Sequence, residues 1–425
     1  MKTLDLNVNV HHLARVEGHG NIKISIKGGK IEEARWEVVE TPRFFEVMLK
    51  GKHYTSAGIL TARICGICSI GHCLASVRAT ENAFGVLVPP LAQKLRLLAK
   101  HAETLQSHVL HLFFLSAPDF LGLPSAIPLV EKDPETFAIA ARLKNLANRI
   151  CDAVAGRTTH PVSIQVGGMA VMPDKKALAG FGEELIATSD DLQRTFELFK
   201  TFEIPAFERE TEFVSLKGDG SYPWIGGQLI SSDGVVKNES EYLAMTNEYV
   251  SDGFTSKLCK LSRDAFAVGA LARVNNNRKF LVPTARLMAA ELGLLVPSYN
   301  PYMCNVAQLL ECVHVVHESI DMIREMIDSD DSIIMSEVEA KASRGVGAVE
   351  VPRGILYHDY EYGDDGRVIR ANCVIPTTQN HANIHLDIQK LVADYAQDGV
   401  DDAKMELLCS MLVRAYDPCI SCSVH

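Results

Sequence analysis

Hydrophobic and polar residues alternate in the first part of the chain. The alternation covers residues 4–10, resumes over residues 22–26 and continues towards Trp36 and Val38, with Gly28-Gly29 between the last two runs. Successive side chains of a strand point to opposite faces, and paired glycines favour a tight turn. The pattern therefore predicts an amino-terminal antiparallel sheet, and a short helix is predicted after it over residues 44–49.

After Pro90 the apolar residues recur every three or four positions, which is the period of a helix that faces a core. The apolar positions of this helix, which Pro118 is predicted to end, are Leu91, Leu95, Leu98, Ala102, Leu105, Val109 and Leu112. Asp133-Pro134 and Gly156 are residues of the types that begin and end a second helix. A third is predicted from Asp174 towards Pro205, and others over residues 239–252, 284–293, 302–328 and 407–415.

Residues 217–237 are predicted to be rich in loops, because turn-forming glycine and aspartate recur there. Nearer the carboxyl terminus, runs over residues 349–362 and 367–376 flank the turn sequence at residues 363–366, which predicts a C-terminal hairpin. The expected fold class is α+β and α-rich. It is a core bundle of long helices with the amino-terminal sheet and the hairpin, in a single domain over residues 1–425.

Composition narrows the class of protein. A chain of 425 residues, 47% hydrophobic and 22% charged, is long enough for a large core. Its net charge of −11 argues against nucleic acid or an anionic membrane surface as partner. No apolar run reaches the ~18 residues of a membrane span. The eleven cysteines are an odd number, and the amino terminus lacks the pattern of a signal peptide, so we expect a reducing, cytoplasmic location.

Two Cys-x-x-Cys pairs are the strongest chemical signal in the chain. Cys65 and Cys68 form the first pair, and Cys419 and Cys422 form the second, close to the carboxyl terminus. Both sulfurs of such a pair can face one point, and thiolates favour zinc, nickel, copper(I) or iron. Zinc ribbons keep their pairs roughly 15–20 residues apart, whereas roughly 350 residues separate these two. The spacing does not exclude a structural zinc site, but it favours a metal site in the core of the protein.

The residues around both pairs resemble a known family. The two segments are Arg63-Ile64-Cys65-Gly66-Ile67-Cys68-Ser69-Ile70-Gly71-His72 and Asp417-Pro418-Cys419-Ile420-Ser421-Cys422-Ser423-Val424-His425. Residues 15–19, 156–161, 271–273, 352–354 and 376–378 agree, in the same order. The chain is thereby similar to the large, catalytic subunit of nickel–iron hydrogenases. The resemblance implies reversible heterolytic cleavage of H₂ to protons and electrons. It also implies an iron–sulfur small subunit that accepts the electrons, and further electron-transfer subunits.

The resemblance implies the ligands of two metals. Cys65 and Cys419 would be terminal ligands of nickel, while Cys68 and Cys422 would bridge nickel to an iron that carries carbon monoxide and cyanide. His72 would hydrogen-bond the bridging sulfur of Cys68 and tune the centre; a satisfied core histidine is the alternative. The iron and its diatomic ligands follow from the resemblance alone.

Five further roles come from the resemblance. Arg353 and Asp417 match the charged pair above the metals, where an arginine polarises H₂ or stabilises developing charge. Glu17 matches a carboxylate on the proton exit route. Glu46 and His425 match ligands of a second metal, expected to be magnesium or another divalent ion. The alternatives are a surface ion pair for the first two, an anchor of the sheet for Glu17 and a solvated helix carboxylate for Glu46.

The helix after Pro90 departs from the family pattern at one position. Many members have an aspartate directly before the first histidine of a His-x-x-His pair, whereas Ser107 precedes His108 and His111 here. The missing charge puts any role of that aspartate in doubt. Together with the short chain, it resembles the cytoplasmic, cofactor-linked branch of the family.

Two other classes of protein remain as alternatives. One is the metal-free relative in respiratory complex I, a quinone-site and coupling subunit that lacks the four cysteines present here. The other is a zinc-stabilised scaffold, which metal analysis giving zinc alone would select.

Overall fold

The amino-terminal strands pair as the alternation predicts. The computed structural model describes residues 5–425, so Leu4 lies outside the described residues. Strands β1 (Leu6–Val10), β2 (Gly20–Lys27) and β3 (Lys30–Val38) form an antiparallel sheet in that order. Ile22 pairs with Trp36 across the sheet, and both side chains are fully buried.

Residues 45–155 are almost entirely helical. The helices are α1 (Phe45–Leu49), α2 (Tyr54–Thr61), α3 (Ser69–Phe84), α4 (Pro90–Val109), α5 (Ala117–Phe120), α6 (Leu129–Lys132) and α7 (Pro134–Ala155). The Asp133 side chain accepts from the backbone of Thr136, and Gly156 takes a left-handed conformation, so α7 begins and ends at the predicted residues.

The prediction that Pro118 ends the first long helix is wrong. A π-helical segment, Leu110–Ser116, follows α4, and α5 then continues through Pro118 to Phe120. Proline is tolerated near the start of a helix, because the N–H that it lacks would have no partner within the helix there. The wider π turn resets the hydrogen-bond register before Pro118, and apolar spacing does not reveal it.

Short strands and helices follow over residues 164–267. They are β4 (Ile164–Gln165), β5 (Gly168–Met169), α8 (Lys175–Ala187), α9 (Ser189–Phe199), β6 (Glu212–Leu216), β7 (Gln228–Ser231), β8 (Val236–Asn238), α10 (Leu243–Thr246) and β9 (Phe266–Ala267). Asp174 caps α8 as predicted, but Thr188 separates α8 from α9.

Two predictions for the middle of the chain need correction. Residues 217–237, predicted as loops, contain β7 and part of β8, in a sheet of order β8-β7-β6-β9. The predicted helix over residues 239–252 is present only in its first half, as a 3₁₀ turn (Glu239–Glu241) followed by α10, because the chain takes a left-handed conformation at Asn247. Short strands that pair with distant partners carry little local signal.

The last third of the chain holds the longest helix and a second antiparallel sheet. Its elements are α11 (Ala270–Asn277), α12 (Pro283–Glu291), α13 (Cys304–Asp328), β10 (Ser343–Val351), β11 (Gly354–Tyr362), β12 (Val368–Val374), α14 (Pro376–Gln397), α15 (Asp402–Ala415) and α16 (Ile420–Ser423). Helices α12, α13 and α15 agree with the predictions. Helices α11 and α14 were not predicted.

The predicted C-terminal hairpin is β11–β12, and β10 adds a third strand to it. The single strand predicted over residues 349–362 is wrong near its beginning. Val351 pairs with Gly354, so Pro352 and Arg353 form a two-residue turn between β10 and β11. The turn needs a glycine at 354, where φ is +134° and a Cβ would come within 2.4 Å of the Val268 side chain.

The α-rich α+β class is confirmed. Helix α4 packs against α7 and α13, α13 packs against α8, and α3 lies along β10. In residues 5–425 no helix is both long and apolar enough to cross a membrane. A single domain over residues 1–425 stays a prediction.

Candidate metal centre

The first cysteine pair lies where a short turn enters α3. Cys68 is the residue directly before α3, and Cys65 is extended three residues earlier. The Sγ of Cys65 accepts from the backbone N–H groups of Ile67 at 3.3 Å and Cys68 at 3.2 Å. The turn therefore points both sulfurs to one side, and both residues are at most 5% exposed.

The second pair meets the first. The Sγ atoms of Cys65, Cys68 and Cys422 all lie within 4.8 Å of one another, and the Sγ of Cys419 lies 3.7 Å from that of Cys65. Cys419 and Cys422 are joined in a disulfide, so a ligand role for them concerns the reduced pair. The structure thus brings together the four predicted sulfurs from residues 354 apart in sequence.

The two cysteines of the first pair differ in acidity. A hydrogen bond with Cys68, the positive charge of Arg353 and two backbone N–H groups hold the pKa of Cys65 below its usual value despite burial. The pKa of Cys68 is well above its usual value, because Cys65 takes the hydrogen bond and burial disfavours a second charge. A soft cation that displaces the remaining proton meets two buried thiolates.

Glu17 joins the amino-terminal loop to the second cysteine pair. Its backbone oxygen accepts from Ile420 at 2.9 Å, and its Oε2 accepts from the Ser421 N–H at 3.0 Å. One carboxylate oxygen of Glu17 lies within 4.8 Å of the sulfurs of Cys419 and Cys422. Glu17 is partly exposed, so it connects the sulfurs with the outside of the chain.

Arg353 and Asp417 form a buried ion pair. Arg353 Nη2 donates to Asp417 Oδ1 at 2.7 Å, and the two side chains are 3% and 2% exposed. Burial would lower the pKa of Arg353, but the negative charges of Asp417, Cys68 and Cys65 outweigh it and keep the guanidinium charged. The interpretation of this pair as a surface ion pair is excluded by its burial.

Asp417 has a second support, which the sequence did not suggest. Gln308 on α13 donates from Nε2 to Asp417 Oδ2 at 3.2 Å, and its Oε1 contacts His111 Nδ1 at 2.6 Å. The chain turns at Asp417 with a φ of +50°, directly before the second cysteine pair. Arg353 and Gln308 therefore fix both oxygens of the carboxylate beside the cysteines.

His72 lies near the sulfurs but does not make the expected hydrogen bond to Cys68. Its Nδ1 contacts His358 Nε2 at 3.2 Å, and its buried Nε2 has no hydrogen-bond partner in residues 5–425. Burial holds the pKa of His72 well below its usual value. His72 is therefore neutral; the hydrogen bond to Cys68 is not formed in this structure, and a role of His72 at the metal-bound sulfur stays a prediction.

Glu46 and His425 meet at the carboxyl terminus, as the resemblance implied. His425 Nε2 lies 3.6 Å from Glu46 Oε1, and both residues contact Cys373 on β12: its N–H donates to Glu46 and its carbonyl contacts His425 Nε2 at 2.6 Å. Burial opposes ionisation of Glu46, but His425 and the Cys373 N–H outweigh it and lower its pKa. A carboxylate, an imidazole and a carbonyl oxygen therefore converge.

Three residues without an assigned role anchor the two cysteine segments. The backbone N–H of Arg43 donates to the Val424 carbonyl at 2.7 Å, and its Nη2 to the Ile64 carbonyl at 2.6 Å. Thr377 Oγ1 accepts from the Cys419 N–H at 3.0 Å, and His381 Nε2 contacts Ser423 Oγ at 2.9 Å. Of these three residues, only Thr377 could have been found from the sequence, because it belongs to one of the stretches that resemble the family.

The donor set fits a soft bimetallic group with acceptor ligands. Four sulfurs converge, and the buried Nε and Nη1 of Arg353 have no hydrogen-bond partner in the described part of the chain. A buried donor without a partner costs free energy, so a group with acceptor atoms is expected there. The same four sulfurs could also bind zinc, and the comparisons with known proteins decide between the two.

The sequence profile described as "Nickel-dependent hydrogenase" matches residues 43–144 and 260–425, and a profile described as "HoxL-like" matches residues 7–41. The chain belongs to the nickel-dependent hydrogenase family. Membership of this family excludes a zinc-stabilised scaffold and the metal-free complex I relative as its class.

Relatives of similar length cover nearly the whole chain. Sulfhydrogenase 1 subunit alpha of Pyrococcus furiosus is 33% identical over 100% of this chain and 99% of its own length. Sulfhydrogenase 2 subunit alpha of the same organism is 31% identical over 98% of each chain. The subunit beta of the NAD-reducing hydrogenase HoxS of Cupriavidus necator is 27% identical over 97% of this hydrogenase and 93% of its own chain.

Solved structures share the fold. A NAD+-reducing NiFe hydrogenase in its H₂-reduced state superposes with a TM-score of 0.88 at 26% identity, over 99% of each chain. The NiFeSe hydrogenase of Dm. baculatum superposes with a TM-score of 0.81 at 21% identity, over 99% and 100%. The second likeness concerns the fold alone.

Proposed function

We propose that Cys65, Cys68, Cys419 and Cys422 hold a nickel–iron centre at which this hydrogenase subunit cleaves H₂ heterolytically. The observation that carries the proposal is the convergence of four buried sulfurs beside Glu17 and Arg353. A bound nickel–iron centre supplies the electron-accepting site for the reaction. Cys65 and Cys419 would hold the nickel, Cys68 and Cys422 would hold both metals, and carbon monoxide and cyanide would be the remaining ligands of the iron.

Arg353 orients and polarises the reactant. Its guanidinium is held by Asp417 through one nitrogen, while Nε and Nη1 remain free to donate within the buried site. Burial strengthens the field of this charge, because little water screens it. Asp417 compensates the charge and keeps the guanidinium in place through the turn after α15.

Glu17 moves the proton. Its carboxylate lies beside the sulfurs of Cys419 and Cys422 and is partly exposed, so it can accept a proton inside and release it outside. The backbone of residues 17 and 18 is fixed against α16 by the Ile420 hydrogen bond. His72 lies on α3, four residues after Cys68, and its buried Nε2 has no hydrogen-bond partner in residues 5–425. Its neutral imidazole adds no charge near the cysteines.

A second metal, magnesium or another divalent ion, is proposed at Glu46 and His425. The Cys373 carbonyl is the third group at this position, and oxygen ligands are those that a hard cation prefers. The site lies against Cys373 on β12, so an ion there would hold His425 onto this strand.

An iron–sulfur small subunit is proposed as the electron acceptor, with further electron-transfer subunits behind it. The names of the relatives describe them as alpha or beta subunits, which supports a hetero-oligomer. Gly66 is exposed although Cys65 and Cys68 on either side are buried. This turn therefore brings the surface of the chain close to the first cysteine pair, and the partner's cluster is proposed to lie against it. A cytoplasmic location is part of the same proposal.

The four cysteines provide the test. Replacing each in turn by serine, which binds soft metals poorly, should remove most nickel and iron and abolish H₂ uptake. Cys409→Ser is a matched control, because this buried cysteine on α15 is outside the centre. Metal content by mass spectrometry and the infrared bands of carbon monoxide and cyanide are the measurements. Full activity in any one of the four variants would refute the assignment.

A further inference from the structure

A buried ion pair on α4 lies against the first turn of α3. Lys100 Nζ donates to Glu103 Oε2 at 2.9 Å and to Thr104 Oγ1 at 3.1 Å, and both charged side chains are fully buried. Burying charges costs free energy even when they are paired. Nothing in the proposed reaction uses this pair, so its presence in the core calls for a separate explanation.

Glu103 caps α3 from outside the helix. Both of its carboxylate oxygens accept from the Gly71 N–H, at 3.0 and 3.2 Å. Cys68, directly before α3, supplies no side-chain cap, so the first turn of this helix depends on Glu103. Gly71 leaves room for this contact: a Cβ there would lie 2.2 Å from Val351 Cγ1 and 3.2 Å from Glu103 Oε2.

The capped end of α3 is next to Cys68, so the pair acts on that sulfur in two ways. It fixes the backbone that carries Cys68, and it sets the local charge. The positive end of a helix stabilises a nearby anion. The carboxylate of Glu103 reduces the positive potential at the start of α3, and the ammonium of Lys100 offsets the charge of this carboxylate.

Lys100 is held in place by several neighbours. Its ammonium lies 5.7 Å from the ring centre of Trp224, and the guanidinium of Arg273 lies 5.5 Å from the same ring. Trp224 is 2% exposed. With little water present, removing either charge of the pair leaves the other unscreened beside the start of α3.

We propose that Lys100 and Glu103 are positioning residues that hold the first turn of α3 and set the electron density of the Cys68 sulfur. The inference rests on the proposed function, in which Cys68 bridges nickel and iron. Neither side chain touches the reactant. The pair is neutral overall, and it therefore caps the helix without placing a net charge next to the thiolates.

The sign of the effect can be measured in the assembled enzyme. Lys100→Gln leaves Glu103 negative, which makes the thiolates more electron-rich and should move the carbon monoxide and cyanide bands to lower wavenumber. Glu103→Gln keeps an oxygen for the Gly71 N–H but leaves Lys100 positive, and the bands should move to higher wavenumber. The double variant removes both charges and should return the bands close to those of the unmodified enzyme.

Glu81→Gln is the matched control. Glu81 pairs with Arg96 between the same two helices, but it lies 13 residues after Cys68, roughly 20 Å along α3 at 1.5 Å per residue. It should leave the bands unchanged. Either single variant tests the proposal, since each has a predicted direction of band shift. The double variant leaves no unpaired buried charge, so it keeps the proposal testable if a single variant fails to fold.

Metal content separates this inference from the proposed function. Absence of iron and of both bands in the unmodified enzyme would overturn the proposed function. Metal-replete variants with unshifted bands, or with bands that shift in the same direction for both charges, would show that the pair only fills the core. Opposite shifts together with an unchanged Glu81→Gln enzyme would support the inference.

Discussion

At the scale of single residues, Glu17 has the most consequential position. Its carboxylate contacts the Ser421 N–H and reaches the sulfurs of the second cysteine pair. Gly18, with a φ of +83°, allows the close approach, since a Cβ there would lie 2.8 Å from the Ser421 nitrogen. The residue therefore combines two possible roles, an anchor of the carboxyl terminus and a proton carrier, and a substitution can separate them.

Glu17→Gln should keep nickel and iron but lower H₂ oxidation and H/D exchange with water by about 100-fold or more, the usual weight of general acid–base catalysis. Glutamine retains an oxygen for the Ser421 N–H but cannot titrate. Glu37→Gln, on β3 and paired with Lys23, is the control and should keep normal exchange. Normal exchange in a metal-replete Glu17→Gln enzyme would end the proposal for Glu17.

At the scale of elements, the turn between β10 and β11 carries Arg353 and is held from α11. Arg273 donates from Nη1 to the Val351 carbonyl at 2.9 Å and from Nη2 to the Pro352 carbonyl at 3.2 Å. The same guanidinium binds both oxygens of Glu311 on α13 at 2.6 Å, and both side chains are fully buried. Arg273 thus joins a helix, the turn and the core bundle.

Arg273→Lys should destabilise the protein by about 1.5–3 kcal/mol, the range for lost hydrogen bonds to a charged group, because lysine keeps the charge but cannot reproduce the bidentate contact. Activity per folded molecule should fall as well, since the turn that positions Arg353 loses two hydrogen bonds. Thermal unfolding and H₂ uptake are the measurements. Arg324→Lys, on the exposed face of α13, should change stability by less than about 0.5 kcal/mol; an equal effect of both variants would contradict the role of Arg273.

At the scale of the whole molecule, the two ends of the described chain meet in one core. Trp36 of β3 donates to His381 Nδ1 at 3.2 Å, and His381 Nε2 contacts Ser423 beside the last cysteine. Several histidines are buried in this way without charge, and burial lowers the pKa of both His381 and His358 to about 3. The stability of the fold should therefore depend on pH.

Stability should decrease as the pH falls from about 6.5 towards 3. An unfolded histidine binds a proton below its ordinary pKa of about 6.5, whereas folded His381 does not until about pH 3. Within this window each such residue lowers the free energy of unfolding by up to about 1.4 kcal/mol per pH unit as the pH falls. Its contribution to stability is fully present above this window. Asp387, whose pKa burial raises to about 6, acts in the opposite direction.

His381→Gln isolates one contribution. The slope of unfolding free energy against pH between 4.5 and 6.5 should be shallower in the variant, because one proton fewer is taken up on unfolding. Asp387 is common to both proteins and cancels in the comparison. Parallel slopes would mean that His381 is charged in the folded protein.

Much of the fold was predictable where local patterns are strong. The alternation of β1 to β3 and the caps of α7 identified those elements, because side-chain periodicity and capping are properties of neighbouring residues. The strands β6 to β9 and the turn at Pro352 were missed, because their partners lie far away in sequence. Tertiary pairing decides such segments.

The sequence by itself determined the chemistry of the centre. It showed which thiolates are available and, through the two-residue spacers, that each pair can face one metal. Only the tertiary structure decided that pairs 354 residues apart meet, and that Gln308, Arg43 and Lys100–Glu103 support them. It also showed that His72 Nδ1 faces His358 and that Nε2 has no partner in residues 5–425. The physical reason is that spacing is a local property, whereas burial, the partner of each hydrogen bond and the charge around a sulfur depend on which distant elements pack together.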